Sequence, residues 1–505
     1  MKFELKGDYF NNEWIPPKTK GTDSTERFLL KNSPCDNQNL WMCPIEYRHI
    51  DPLVDSAMNG FRTWKKTSFE ERKNALKRYQ ERLISKKNEI AEAISWETGK
   101  PFWESLTEAS ALISKIDVTI NDSLPRISNK EIENILPDTT GHIIYRPLGP
   151  CFIIGPFNFP CHLANGQITS ALLAGNSIIF KPSEKTCYSS QLMFECLGEA
   201  DFPRGVVNFI QGDGETASRI IGRKEVKGVF FTGSKEVGKL ILKHTSSSLD
   251  KLVALELGGK NASIICKDAQ LDLALEEILK GSFLTTGQRC TSTALVPIHR
   301  SIMDEFLSKF HGLAKKLIID HPFDYEKEPF MGPLIDELAV KNYLNFIGMA
   351  KREGIEEIMR GKKIEKKHKG NYVTPSIHLA EKFDISSLFL MSEIFGPNCT
   401  FVPFDELEEA ISIANSTEFG LATSVFTKDV NNYKNCIDEI DSGLVNLNRS
   451  TVGASSRLPF GGVKNSGNYR PAAVSTIDSC VYTMSSLEYK KDVGSGLESI
   501  KGLEL

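Results

Sequence analysis

From about residue 143 the chain alternates short apolar runs, rich in β-branched residues, with segments of helical periodicity. The runs at 151–154, 177–180, 206–210, 229–231 and 252–255 are too short for helices. They are also too uniformly apolar for strands with one wet face. Helix-compatible segments at 166–173, 189–197, 216–221 and 237–243 lie between them. Buried strands joined by helices form βαβ units, and these build a parallel sheet. Ligands on such sheets bind beyond the carboxyl ends of the strands. A second alternation follows Gly258, with strands at 264–266 and 294–298 and helices at 271–284 and 303–317. Two α/β domains are therefore expected, meeting near Leu257-Gly258-Gly259.

Before this region a long helical stretch is expected. Ser68 and Glu71 have capping-box spacing, and Leu76, Tyr79, Leu83, Ile90 and Ile94 recur at helical intervals until Gly99 and Pro101. After about residue 475, Cys480-Val481-Tyr482 reads as a strand completing a sheet elsewhere, on a neighbouring subunit for example. With 61 Lys and Arg against 65 Asp and Glu, the net charge is −4, not the basic excess of a nucleic-acid binder. No apolar run approaches the roughly 18 residues needed to span a membrane. The segment from Met1 to Lys6 lacks the apolar region of a secretory signal. Eleven cysteines without a C-x-x-C pair argue against a disulfide framework and a metal site, and for a reducing cytoplasm.

Four places could carry chemistry. Gly212-Asp213-Gly214 and Gly233-Ser234-Lys235-Glu236-Val237-Gly238 each follow a strand and open a helix, where backbone N–H groups attract phosphate. Each is equally a structural turn, and the residues alone do not choose between them. Lys181-Pro182-Ser183-Glu184 also follows a strand. There Glu184 would accept hydrogen bonds from an adenosine ribose and repel a 2′-phosphate, favouring NAD over NADP. Cys290 sits on a polar, glycine-containing junction beside Arg289, a setting that would lower a thiol pKa. Glu256, at the end of an apolar run, is either an ion-paired strand terminus or a desolvated general base, and the glycines after it would let backbone approach a ligand. Asn158, held between Pro156 and Pro160, is either bonded to its own turn or aimed into a cleft as an oxyanion donor.

In this order, the 155–160 loop, Lys181 to Glu184, Phe231-Thr232-Gly233-Ser234, Glu256-Leu257-Gly258-Gly259-Lys260, Gly287-Gln288-Arg289-Cys290, Glu393-Ile394-Phe395-Gly396-Pro397 and Pro459-Phe460-Gly461-Gly462 resemble the aldehyde dehydrogenase superfamily along essentially the whole chain. The resemblance implies two doubly wound parallel-sheet domains with a β-rich oligomerisation arm. It places an NAD-binding domain over 1–255, with an oligomerisation hairpin at about 124–146, a catalytic domain over 256–470 and an oligomerisation segment over 471–505. It further implies a homodimer or homotetramer acting on a small aldehyde. By the same resemblance Cys290 is the nucleophile, Glu256 the general base, and Asn158 with the Cys290 N–H the oxyanion hole. The implied NAD contacts are Ile154, Pro156, Lys181, Ser183 and Glu184 in the first half of the sheet. Gly214, Phe231, Gly233, Ser234, Lys235, Glu236, Val237 and Gly238 follow, then Leu257, Glu393 and Phe395; the Gly233 turn lies nearer the pyrophosphate. The nearest branch, the N-succinylglutamate 5-semialdehyde dehydrogenases of bacterial arginine breakdown, is suggested by 158–166, 453–456 and 466–471. It implies an acidic semialdehyde, for which Arg457 and Arg449 are candidate carboxylate partners. Arg457 and Lys464-Asn465 depart from that branch close to the expected substrate mouth.

Overall fold

The described residues of this computed structural model are 3–17, 27–490 and 502. Five of the expected runs form the parallel part of one sheet, in the order Leu252–Glu256, Gly228–Thr232, Cys151–Ile154, Ile178–Lys181, Val207–Phe209. An N-terminal hairpin, Asp8–Phe10 with Glu13–Ile15, extends its edge antiparallel to Val207–Phe209. From Cys151–Ile154 the chain builds outward in one direction. It then returns to place Gly228–Thr232 on the other side of that strand. The crevice beyond the carboxyl ends of these two strands is the topological switch point, where an open α/β sheet takes its ligand.

A second sheet runs Glu356–Met359, Ser376–Leu379, Asn398–Phe404, Thr293–His299, Asn261–Ile265, Ala422–Phe426, Leu444–Leu447, and only its first strand is antiparallel. A third sheet pairs Val481–Tyr489 with Thr139–Pro147, which pairs in turn with Lys130–Leu136. Residues 491–501 and 503–505 of the C-terminal segment lie outside the described residues, as do Met1 and Lys2. The central strands are buried on both faces by helices, with Phe152, Phe180, Phe209 and Phe230 fully buried in the first domain. Among the described residues no helix is long and apolar enough to cross a membrane.

The helical stretch begins as expected: Ser68 Oγ accepts from the Glu71 N–H at 3.2 Å while the Glu71 carboxylate accepts from the Ser68 N–H at 2.7 Å. It divides at Lys86 into Phe69–Ser85 and Lys87–Thr98, and closes on Gly99 at φ 80°. A further helix, Phe102–Val118, follows directly. It buries Ala109, Leu112 and Ile116 on one side and presents a polar face between the two sheets.

Candidate active site

Cys290 follows a backbone turn that its own sequence would not adopt unaided. Helix Leu271–Phe283 ends in the tight turn Leu284–Gly287, where Thr285 and Thr286 both take φ of 56°. Left-handed backbone is rare for β-branched residues and persists only where the surroundings impose it. Here Glu104, on helix Phe102–Val118, accepts from the N–H and the hydroxyl of Thr285. Thr286 Oγ1 donates to the Gly332 carbonyl at 2.9 Å. Past the turn, Asn261 Nδ2 donates to the Cys290 carbonyl at 2.8 Å. Of the eleven free cysteines ten are buried, and Cys290 alone is half-buried.

The sulfur faces a cavity of about 310 Å³ that also receives Asn158, Glu256, Leu257 and Thr291. Asn158 is anchored by donating one amide hydrogen to the Gln288 carbonyl at 2.9 Å. The amide has two hydrogens, so a second remains to be donated. Phe159, next to it, lies under the Arg289 guanidinium at 5.0 Å and the Lys100 ammonium at 3.8 Å, which fixes the loop. Glu256 ends strand Leu252–Glu256 and is 5% exposed, and its Oε1 has no hydrogen-bond partner among the described residues. Burial holds its carboxyl well above the usual carboxylate range, and Arg470 draws it back only in part. Gly461 admits this carboxylate, since a Cβ there would stand 2.7 Å from Oε1.

Two expectations about local chemistry need correction. The cation beside Cys290 does not activate it. Arg289 turns to Glu104, Nη2 to Oε1 2.6 Å, and to Thr285 Oγ1 at 2.7 Å. Burial, with Glu256 and Glu393 nearby, pushes the thiol up to about 12, while the N–H groups of Cys290 and Thr291 pull the other way. The glycines after Glu256, in turn, admit protein rather than ligand. A Cβ on Gly258 would strike Glu393 Oε2, and one on Gly259 would stand 2.6 Å from the Cys290 carbonyl. Glu393 Oε1 accepts from the Gly259 N–H at 2.9 Å, and burial raises its carboxyl to about 7.

The switch-point crevice opens beside this cavity. Ile154 and Pro156 lie at the end of one flanking strand, and Phe231 with Gly233 at the end of the other. A Cβ on Gly233 would lie 2.4 Å from the Phe231 ring. Ser234 caps helix Lys235–Thr245 through the Val237 N–H, and Lys235 pairs with Glu418. Val237 stays 43% exposed and Leu240 64%, an apolar pair on the exposed face of the helix, while Glu236 is exposed and Gly238 packs on Leu257. Lys181 donates to the Pro182 and Gly212 carbonyls, both at 2.8 Å, Ser183 is buried, and Glu184 is exposed. Phe395, at φ 50°, sets its ring edge-on to Phe157, 5.8 Å between centroids. The other glycine turn is built differently. Gly214 opens helix Gly214–Ile221, but Asp213 caps that helix with its own carboxylate, which also accepts from Tyr47 at 2.9 Å.

Neither arginine offered for an acidic substrate lines the cavity. Arg457 is exposed and bonds Asp122 at 3.1 Å, and Arg449 is exposed on the loop after strand Leu444–Leu447. Lys464 is likewise away from the mouth, donating to the Asn415 carbonyl at 2.7 Å. The walls come instead from Ser455, Ser456, Phe460 and Ala473, and from Glu104, Glu108 and Lys115 on helix Phe102–Val118. That helix was missed in the sequence, though Glu104, Glu108, Ala111 and Lys115 have the spacing of one helical face.

A thiol, an amide donor and a desolvated carboxylate share one cavity beside the switch-point crevice, an arrangement suited to oxidising an aldehyde. The aldehyde dehydrogenase family model matches residues 22–485, and the chain belongs to that family. It is similar to the N-succinylglutamate 5-semialdehyde dehydrogenase of Vibrio cholerae, 33% identical over 94% of this chain and 95% of that protein. The Chromobacterium violaceum enzyme of the same name is 35% identical over 91% of this chain and 93% of its own. A solved betaine aldehyde dehydrogenase point mutant from Staphylococcus aureus, in complex with NAD+, superposes at TM-score 0.89 with 26% identity and 99% coverage of both chains.

Proposed function

We propose that this enzyme oxidises an acidic semialdehyde, N-succinyl-L-glutamate 5-semialdehyde, to the carboxylic acid with NAD as acceptor, as a step of arginine breakdown. The observation that carries the reaction is the shared cavity of Cys290, Asn158 and Glu256. The substrate rests on the relatives' likeness across more than nine-tenths of the chain. Free thiols throughout support a reducing, cytoplasmic setting. The sheet of Val481–Tyr489, Thr139–Pro147 and Lys130–Leu136 exposes Ile132, Ile135, Leu136, Tyr482 and Leu487, a surface suited to association into a homodimer or homotetramer.

The crevice suits a dinucleotide. A glycine approach at Gly233, a helix N-terminus capped by a neutral hydroxyl and the open Val237 and Leu240 side chains match a pyrophosphate and a base. The Gly214 turn, whose helix end already carries Asp213, is left to a lesser contact. Lys181, Ser183 and Glu184 would meet the adenosine ribose, with Glu184 disfavouring a 2′-phosphate. Ile154, Pro156, Lys235, Glu236, Gly238, Leu257 and Phe395 would line the path, and Glu393 would meet the second ribose. When bound, the nicotinamide accepts the hydride.

Cys290 gives its proton to Glu256, which passes it on to solvent, as Sγ attacks the aldehyde carbon, and the free Asn158 hydrogen and the Cys290 N–H receive the developing oxyanion. Loss of hydride leaves a thioester on Cys290. Glu256, its proton affinity raised by burial, takes a proton from water, and the hydroxide releases the acid. The test is initial rates across ω-carboxylated and N-acylated semialdehydes and neutral aldehydes, with NAD and NADP. The highest kcat/KM is expected for the acidic, N-succinylated substrate with NAD. A neutral aldehyde or NADP at the head of the series overturns the reading.

A further inference from the structure

Every charge on the helical wall of the cavity is matched except one. Glu104 is paired with Arg289 and bonded twice by Thr285. Glu108 is paired with Lys100, both side chains almost wholly buried, and accepts from the N–H groups of Cys161 at 3.1 Å and His162 at 3.2 Å. Lys115, two to three turns further along the same face, is 2% exposed and makes no ion pair among the described residues. Its Nζ donates to a single neutral acceptor, the Ala473 carbonyl, at 2.9 Å. An ammonium has three donors, so two are unspent. Asp122, the carboxylate that bears on it from further off, is engaged by Arg457.

An unpaired buried ammonium is costly, and burial depresses this one to about 8. A second unmet group lies in the same wall. His162 Nδ1 is buried without a hydrogen-bond partner among the described residues. Its ring stays neutral, burial and the nearby Lys115 and Lys100 lowering it to about 4. A cation without an anion and an imidazole nitrogen without a partner complement an anionic chain that also carries polar atoms along its length.

We propose that Lys115 is the specificity-determining residue of this cavity and binds the carboxylate of the substrate remote from the aldehyde, in the place first sought at Arg457 and Arg449. The assignment rests on the acidic-semialdehyde reading above and locates its recognition on helix Phe102–Val118. Charge-assisted donation from Nζ would hold the distal end of the chain while Cys290 meets the other.

The test compares wild type with Lys115→Met, which keeps the stem and removes the charge. kcat/KM is measured with NAD for glutarate semialdehyde, N-succinylglutamate semialdehyde and pentanal. The acid-to-pentanal ratio is expected to fall about 10- to 100-fold in the variant, chiefly through KM, as loss of a charged hydrogen bond predicts. A general structural defect lowers both rates and leaves the ratio. A wild type that prefers acids and a variant that keeps the preference overturns the Lys115 assignment alone. A wild type with no acid preference overturns the substrate class and the assignment together. Should Lys115→Met not fold, inhibition of wild type decides: glutarate is expected to compete with the aldehyde and its dimethyl ester not to, and equal inhibition by both overturns the proposal.

Discussion

The cavity has two sides, and they handle polar groups in opposite ways. On the helical side Glu104 and Glu108 spend their oxygens on Arg289, Lys100, Thr285 and the N–H groups of Cys161 and His162. On the reacting side Glu256 keeps Oε1 unbonded, Asn158 keeps one amide hydrogen, and Cys290 keeps a thiol that burial holds protonated. Both sides are buried, so burial does not distinguish scaffold from chemistry. What distinguishes them is whether buried polar groups are satisfied, since an unsatisfied one is expensive and persists where it is used. Glu104 holds the left-handed turn before Cys290 and Glu108 holds the start of helix His162–Ala174, while the unmatched Glu256 is left with a free oxygen.

Substitutions on the reacting side should stop turnover, and those at the paired carboxylates of the helical side should loosen the fold. Cys290→Ala should abolish turnover with any aldehyde, read as NADH absorbance, because nothing else in the cavity forms the thioester. Glu256→Gln should release one NADH per site in a burst and then slow by about 10²- to 10⁴-fold, the range typical for loss of a general base. Steady turnover at the wild-type rate in either variant would return both residues to the scaffold. Asn158→Ala should lower kcat by about 10²- to 10³-fold and diminish the burst, because this donor acts on the oxyanion formed before the hydride is lost.

The same contrast explains what was legible in the chain. The five parallel strands of the first sheet and two of the second, near 264–266 and 294–298, could be read from local composition, because burial on two faces leaves an unbroken apolar run at 151–154 or 252–255. The other five strands of the second sheet were not foreseen. Cys290, Glu256 and Asn158 stood out because each closes a strand or occupies a glycine- or proline-bounded turn. Lys115 and Glu104 did not, since a charged residue within a helix usually faces water, and only packing between the sheets turns that face inward. Arg457 misled for the complementary reason. Its neighbours Ser455 and Ser456 do line the cavity, but its side chain finds Asp122 outside. The choice between the two glycine turns needed strand order, which places Gly233 and not Gly214 at the switch point.

On the helical side, Glu104→Gln tests support rather than chemistry. The Glu104 side chain is 2% exposed and that of Arg289 15%, so removing one charge strands the other in a poorly solvated site. Losing one partner of a buried pair costs about 3–5 kcal/mol, and the partly open Arg289 favours the lower end. The urea midpoint should fall accordingly. The burst amplitude per folded site should persist if Glu104 serves only to hold the turn. An unchanged midpoint with a lost burst would move Glu104 across to the reacting side.

The smallest effect concerns protons on Cys290 itself. A thiol raised to about 12 by burial and by two neighbouring carboxylates is almost entirely protonated at neutral pH. The thiolate fraction then rises about tenfold per pH unit, because ionisation is far from complete throughout. Alkylation of the NAD-free enzyme by iodoacetamide, followed by mass spectrometry at Cys290, should therefore accelerate up to pH 10 without a plateau. The Glu256→Gln variant removes one of the two carboxylates, so its curve should shift to lower pH. A plateau near pH 8 in the wild type would mean that Arg289, or another cation, reaches the sulfur after all. The thiol would then be activated by a neighbouring charge, and the side of the cavity that holds Glu104 would be supplying chemistry as well as support.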